Sequence, residues 1–370
     1  LSSNDNLLEI EEKAIEKPHI FLITPDCVNA SHMSVYGYER PTTPFIEELS
    51  PHALLAKNNF TNSAHSAGSI TSIFTSKYPT DVRVIYPPDI LRGKDSYEHL
   101  PGILKSLGYY TVQYGQEHFV DAYEYNMLNG FDEVNGRTMQ SDPFLKKISN
   151  YLPTNYAYFS FELRNRLLDR LSHIFFIREM ENTYAEVTSS PETIEDWDKF
   201  EKTLALLDTK TQPIFAHIHW MGTHGPRYHL SEQVFSVGKN IEDQPNYDID
   251  LYDDSILEFD KALSRFYEAL QERQLSEDVI LIIGTDHPQL YVQYQIPLII
   301  KFPNNEHGGI IDDNTQNMDI SQTILDYMDI EIPDWMEGNS LIDENYEPGP
   351  IISLSVVNKL KGDSIDYQAI

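Results

Sequence analysis

Two apolar runs near opposite ends of the chain both stop at acidic side chains. His19-Ile20-Phe21-Leu22-Ile23-Thr24 leads into Asp26, and Val279-Ile280-Leu281-Ile282-Ile283-Gly284-Thr285 leads into Asp286-His287. Their length and β-branched content are those of strands buried on both faces, the kind found inside a parallel sheet. Such a sheet takes ligands at the edge where strand ends and loops converge. Between the two runs, Ser66 stands just ahead of a helical stretch that ends in Lys77-Tyr78-Pro79. A fold that brings these segments together collects two carboxylates, an imidazole and a hydroxyl, which can hold one divalent cation and activate the hydroxyl.

The intervening pattern alternates strands with helices. Pro44 to Leu49 reads as a short helix, Leu54 to Phe60 as a strand, and Ser69 to Ser76, with Ser69 the N-cap candidate, and Tyr97 to Leu107 as helices. Gly108 ends the last of these, and Tyr109 to Tyr114 follows as a strand. Later come a helix from Glu195 to Leu207, a strand from Pro213 to His219 and a long helix from Tyr252 to Arg273. This order predicts an α/β fold with a largely parallel central sheet and helices on both faces. We expect a lead-in over residues 1–17 and one catalytic domain over 18–345, with a helical insertion at about 137–193 that shapes access to the site. A C-terminal segment starts at 346. The chain opens on Leu1 and stops at Ile370, which suggests a processed or truncated piece of something longer, with an extracytoplasmic location then open.

Charge narrows the partners. With 27 basic against 58 acidic residues, net −31, nucleic acid and anionic membrane surfaces are excluded as main partners. The acidity also repels an anionic substrate at long range, so a cation and local histidines must reverse the field inside the cleft. Apolar runs are strand-sized, so no segment of this chain is expected to span a membrane. Cys27, the single cysteine, makes an internal disulfide impossible and reads as a small buried residue. His217 and His219 alternate along one strand and read as packing residues.

Taken in order, the segments resemble the sulfatase branch of the alkaline phosphatase superfamily. Asp26 to Met33 with Tyr36-Gly37-Tyr38 and Arg40-Pro41-Thr42-Thr43-Pro44 resembles its first metal-binding segment, and Ser66 through Pro79 resembles its nucleophile helix. Gly115-Gln116-Glu117-His118-Phe119 and Thr223-His224-Gly225-Pro226 are similar to its two substrate-side elements. Ile296 to Ile300, Met318 to Leu325 and Gly338-Asn339-Ser340-Leu341 follow as the family's closing segments do. The resemblance implies an alkaline-phosphatase-like fold, metal ligation by Asp26, Ser66, Asp286 and His287, catalysis by Ser66 and His224, and contacts to the substrate anion from His118, Gln116 and His224.

Departures from the pattern select a branch. Sulfatases that convert their nucleophile to formylglycine carry Pro two places on and Arg four places on, where this chain has Gly68 and Ile70. Ser66 is therefore expected to stay a plain hydroxyl. Cys27 replaces the second of the paired aspartates, Gln116 replaces the sulfate-binding lysine, and Trp220 stands where two-zinc phosphodiesterases have an aspartate. What survives resembles the one-metal pattern of lipoteichoic-acid synthase-like and phosphoethanolamine-transferase-like enzymes. The expected activity is metal-dependent hydrolysis or transfer of phosphate esters of the diester type through a covalent serine intermediate. Two alternatives stand beside it: a sulfatase using unmodified serine, and a degenerate binding or scaffold protein, for which the short stretch from Pro288 to Gln295 speaks. Oxygen and imidazole ligands favour manganese or zinc as the cofactor, with magnesium and calcium admissible. The substrate class is an anionic ester of a lipid headgroup, a glycan or a small metabolite.

Overall fold

A nine-stranded sheet in the order β5-β4-β3-β6-β1-β7-β8-β2-β9 forms the centre of the computed structural model. The structure describes residues 17–87, 89–127, 129–138, 143–175, 196–225, 228–240, 247–289, 295–355 and 368–369. The strands are β1 (His19–Pro25), β2 (Leu54–Phe60), β3 (Tyr110–Tyr114), β4 (Glu133–Val134), β5 (Arg137–Thr138), β6 (Ile214–Trp220), β7 (Val279–Gly284), β8 (Leu298–Lys301) and β9 (Gly309–Gln316). β1 lies parallel to both β6 and β7, and β3 lies parallel to β6. β8 runs antiparallel to β7 and to β2, and β5 runs antiparallel to β4. The sheet is therefore largely parallel, as expected.

Why these strands sit at the centre follows from which side chains they bury. Along β1, Ile20 and Leu22 join the apolar cluster on one face, with Ile70, Ile73 and Phe74 of the helix Ser66–Thr75. Phe21 and Ile23 point the other way, into a second cluster with Phe259 and Phe266 of the helix Ile249–Glu272. The Phe21 and Phe266 rings meet edge to face at 5.4 Å. A strand with apolar residues on both faces is stable only between two helical layers, and here both are present.

Sequence and structure agree closely on Pro44–Leu49 and Leu54–Phe60. They differ at the nucleophile helix, which starts at Ser66 rather than Ser69. Ser69 is wholly buried inside it, with its hydroxyl donating to the Asp286 carbonyl at 2.6 Å, so it cannot be the cap residue. His65 stands at the cap position instead. The expected insertion contains the helices Pro143–Ile148 and Thr154–Ile174, and its part beyond residue 175 up to 193 lies outside the described residues. The lead-in up to residue 16, Pro226, residues 290–294 and most of the segment after 355 also lie outside them. Among the described residues, no helix is long and apolar enough to cross a membrane.

Candidate active site

Three loops at one edge of the sheet bring the predicted cluster together. Asp26 follows β1 directly, Asp286-His287 follow β7 after one residue, and Ser66 opens the helix that follows β2. Because β1 and β7 are in-register parallel neighbours, residues after their ends are delivered side by side. Tyr252, from the helix on the far face, pins the first loop by donating to the Cys27 carbonyl at 2.7 Å and accepting from the Asn29 amide at 2.9 Å. Thr61 and Ser69 both donate to the Asp286 carbonyl, and Thr223 donates to the Asp26 carbonyl at 2.6 Å. The side chains are thus held largely through their own backbones; Asp286 Oδ1 also accepts from the Cys27 amide at 3.4 Å, and the carboxylate ends Asp26 Oδ1 and Asp286 Oδ2 are left without a partner.

Those ends converge on one nitrogen. His287 Nε2 lies 3.3 Å from Ser66 Oγ, 3.6 Å from Asp26 Oδ1 and 3.5 Å from Asp286 Oδ2. The other ring nitrogen, Nδ1, is 3.1 Å from the Pro288 carbonyl, which can only accept. Nδ1 therefore carries the proton, and in the neutral ring the Nε2 lone pair faces the three oxygens.

Asp26 Oδ1 and Asp286 Oδ2 are buried without a hydrogen-bond partner, and so is Nε2 of His219. Buried carboxylate oxygens left in this state cost on the order of 1–3 kcal/mol each, and a cation between Asp26 Oδ1 and Asp286 Oδ2 removes that cost. The groups Asp26–Cys27–His287 and Asp26–His219–Asp286 each place their donor atoms within 4.8 Å of one another. The residues present therefore fit a divalent cation.

Electrostatics agree with that fit. Burial acts to raise the Asp26 carboxyl, but the imidazoles of His224, His219 and His287 outweigh it and hold the group well below the usual carboxylate range. For His287, burial acts to lower the imidazole, and Asp286, Asp26 and the Pro288 carbonyl outweigh it, so the ring is raised. Cys27 sits with Sγ 3.6 Å from His287 Nδ1. Its burial, then the two aspartates, push the thiol well above its ordinary value, as suits a small buried residue carrying its proton. A further acidic group, Glu117–Asp121–Glu124, lies apart and is answered by Arg137, which pairs with both Asp121 and Glu117.

Around this centre the expected substrate-side residues are placed unequally. His224, half-buried in the loop after β6, acts electrostatically on Asp26 and so stands close to the cluster. His118 is held by Glu124, 2.8 Å from its Nδ1, on a left-handed backbone with φ of 66°. Gln116 is half-buried at the start of the same turn. Reading the sequence as a string missed His219, which pairs with Thr24 in the register of β6 on β1 and lies 3.4 Å from Asp26 Oδ2. The signal that could have found it is parity: Thr24 and His219 lie on the sheet face that carries the nucleophile helix.

Gly68 explains why the nucleophile helix departs from the modified kind. A Cβ at this position would lie 2.8 Å from Ser63 Cβ and 3.0 Å from the Val84 carbonyl oxygen. The helix packs against these groups without room for any side chain, least of all a proline ring. Gly68→Ala is expected to destabilise the protein by about 1–3 kcal/mol, as overpacking does. Chemical denaturation of the two proteins checks this, and equal midpoints would contradict the packing argument.

A mostly parallel sheet between helical layers, with carboxylates, a histidine and a serine at one edge, is the architecture of the alkaline phosphatase superfamily. Residues 18–330 match the sulfatase family model, and the chain belongs to the sulfatase family. Two ulvan-active sulfatases of Formosa agariphila are similar in sequence. One is 21% identical over 95% of this chain and 69% of its own length, and the other is 28% identical over 31% of this chain and 23% of its own length. Two solved structures share the fold. An alkaline phosphatase superfamily protein from Vibrio parahaemolyticus has a TM-score of 0.60 at 16% identity, covering 92% of this chain and 72% of that one. The lipoteichoic acid synthase LtaP from Listeria monocytogenes also has 0.60, at 14% identity, covering 87% and 74%.

Proposed function

We propose that this chain is a metal-dependent hydrolase or transferase of phosphate esters, of the diester type, working through Ser66 as nucleophile. The observation that carries the reading is the approach of Ser66 Oγ, Asp26 Oδ1 and Asp286 Oδ2 to a single imidazole nitrogen of His287. Asp26, Ser66, Asp286 and His287 would hold one divalent cation. Manganese or zinc suits this mixed oxygen and imidazole set better than calcium. When bound, the cation supplies Lewis-acid polarisation of the oxygens around it.

The chain's own residues supply the rest. Ser66, once deprotonated, attacks phosphorus in line and displaces the alcohol, leaving a seryl phosphoester that water or a second alcohol opens. As the first residue of the helix Ser66–Thr75, it places developing negative charge at the positive end of the helix dipole. His224, His118 and Gln116 are assigned to the substrate anion.

A second reading, hydrolysis of sulfate esters on a glycan by unmodified serine, is favoured by the two ulvan-active sulfatases among the relatives. Phosphorus is preferred because Gly68 and Ile70 replace the residues that formylglycine formation needs, and the packing at Gly68 leaves no space for the proline. Two measurements test the choice. Mass spectrometry of the peptide from Asn62 to Lys77 is expected to show ordinary serine at position 66. In parallel assays, bis(4-nitrophenyl) phosphate is expected to turn over faster than 4-nitrophenyl sulfate. An aldehyde at position 66, or turnover of the sulfate alone, would overturn the phosphate reading.

A further inference from the structure

Beneath the cluster, four buried polar side chains from three adjacent strands lie end to end. Gln113 of β3 is opposite His217 of β6 in the strand register, and His219 of β6 is opposite Thr24 of β1. Gln113 Nε2 is 3.0 Å from His217 Nδ1, and His217 Nε2 is 3.0 Å from Thr24 Oγ1. Thr24 Oγ1 is in turn 2.9 Å from His219 Nδ1, and His219 Nε2 is 3.4 Å from Asp26 Oδ2. Gln113, His217, Thr24 and His219 are each at most 1% exposed, in a face otherwise filled by apolar side chains such as Phe74.

The direction of every bond in this row can be worked out from one end. Gln113 Oε1 accepts from the backbone amide of Ala122 at 2.7 Å, which orients the side-chain amide and turns its NH2 group toward His217. An NH2 can only donate, so His217 Nδ1 accepts. Burial, with His219 and Lys199 adding to it, pushes His217 well below its ordinary value, so the ring is neutral and its single proton sits on Nε2. That proton goes to Thr24 Oγ1. The threonine hydrogen is then directed to His219 Nδ1, which leaves the His219 proton on Nε2, facing Asp26.

We propose that Gln113, His217, Thr24 and His219 form a directional hydrogen-bond relay that ends in an N–H presented to Asp26 Oδ2, making His219 a positioning residue for the cation-binding carboxylate and not a ligand. This rests on the reading of Asp26 as a ligand given above. Two histidines at one site thereby take opposite tautomers for opposite tasks. His287 gives its Nδ1 proton to the Pro288 carbonyl and keeps an Nε2 lone pair for a cation, whereas His219 receives at Nδ1 and offers a proton at Nε2. Asp26 then faces the His219 N–H with Oδ2 and leaves the other oxygen, the unpartnered Oδ1, for the cation. The 3.4 Å separation is at the outer limit of hydrogen-bond distance.

Nitrogen-15 NMR of histidine-labelled wild-type protein, with and without zinc, reads the tautomers directly. The His219 signals, assigned by their loss in His219→Gln, are expected to show a protonated Nε2 in both samples, with the zinc-induced shift falling on His287 Nε2. Zinc affinity by chelator competition gives an independent readout. Thr24→Val, which keeps shape and removes the hydroxyl, and His219→Leu are expected to weaken zinc binding by roughly 10-fold to 100-fold. His219→Gln returns an amide N–H near the same place and should restore affinity to within about 3-fold. A proton on His219 Nδ1, a zinc-coordination shift on His219 Nε2, or unchanged zinc affinity in both Thr24→Val and folded His219→Leu would overturn the relay alone. Wild-type protein that binds no zinc, manganese or magnesium would overturn the metal reading, and the relay's proposed task with it.

Discussion

Asp286→Asn combined with His287→Ala is expected to remove the bound cation entirely. Elemental analysis of purified wild-type protein should find about one divalent ion per chain, and the double variant should retain less than a tenth of that. The reason is geometric: the pair supplies Asp286 Oδ2, which is buried with no protein partner, and the one nitrogen on which the other donors converge. The fold should survive, because Thr61 and Ser69 bind the Asp286 backbone carbonyl, which the substitution keeps. Circular dichroism of the variant checks that point. Full occupancy in a folded double variant would rule out this cluster as the metal site.

Ser66→Ala should lower turnover of an activated phosphodiester by at least ~100-fold, since the covalent route goes with the hydroxyl. Metal content must be measured alongside, because the same oxygen is a proposed ligand. His224→Ala should slow the reaction while leaving metal content unchanged, as fits a group acting on the substrate anion. Undiminished activity in Ser66→Ala with metal retained would show that another nucleophile is at work. Ser69 could not take its place, since its buried hydroxyl already holds the Asp286 carbonyl.

How much of the site was readable depends on how each residue is tied to its neighbours along the chain. Asp26 and Asp286-His287 announce themselves because each directly follows a run of apolar, β-branched residues, and a carboxylate there has little to do with packing. Ser66 was harder to separate from the other hydroxyls of its helix. Local preference pointed to Ser69 as the cap, whereas the helix starts at Ser66 and the Ser69 hydroxyl is turned inward to the Asp286 carbonyl, a bond across the fold. β9 carries no comparable signal. β9 is exposed over most of its length at the sheet margin, and burial is what makes a strand visible as a pattern.

The sequence by itself determined the α/β alternation, the parallel centre and four of the groups that meet there, Asp26, Ser66, Asp286 and His287, because strand length, apolar periodicity and side-chain chemistry are all local properties. Only the tertiary structure decided what each group faces. Cys27 reads as a neutral buried thiol once its surroundings are seen, and Gly68 as a helix contact with no space for a side chain. His217 and His219 are indistinguishable along the strand, two residues apart on one face. Register separates them, setting His217 against Gln113 and His219 beside Thr24 and the Asp26 carboxylate. Hydrogen-bond direction, and with it the task of an imidazole, belongs to partners on neighbouring strands, which a single strand does not contain.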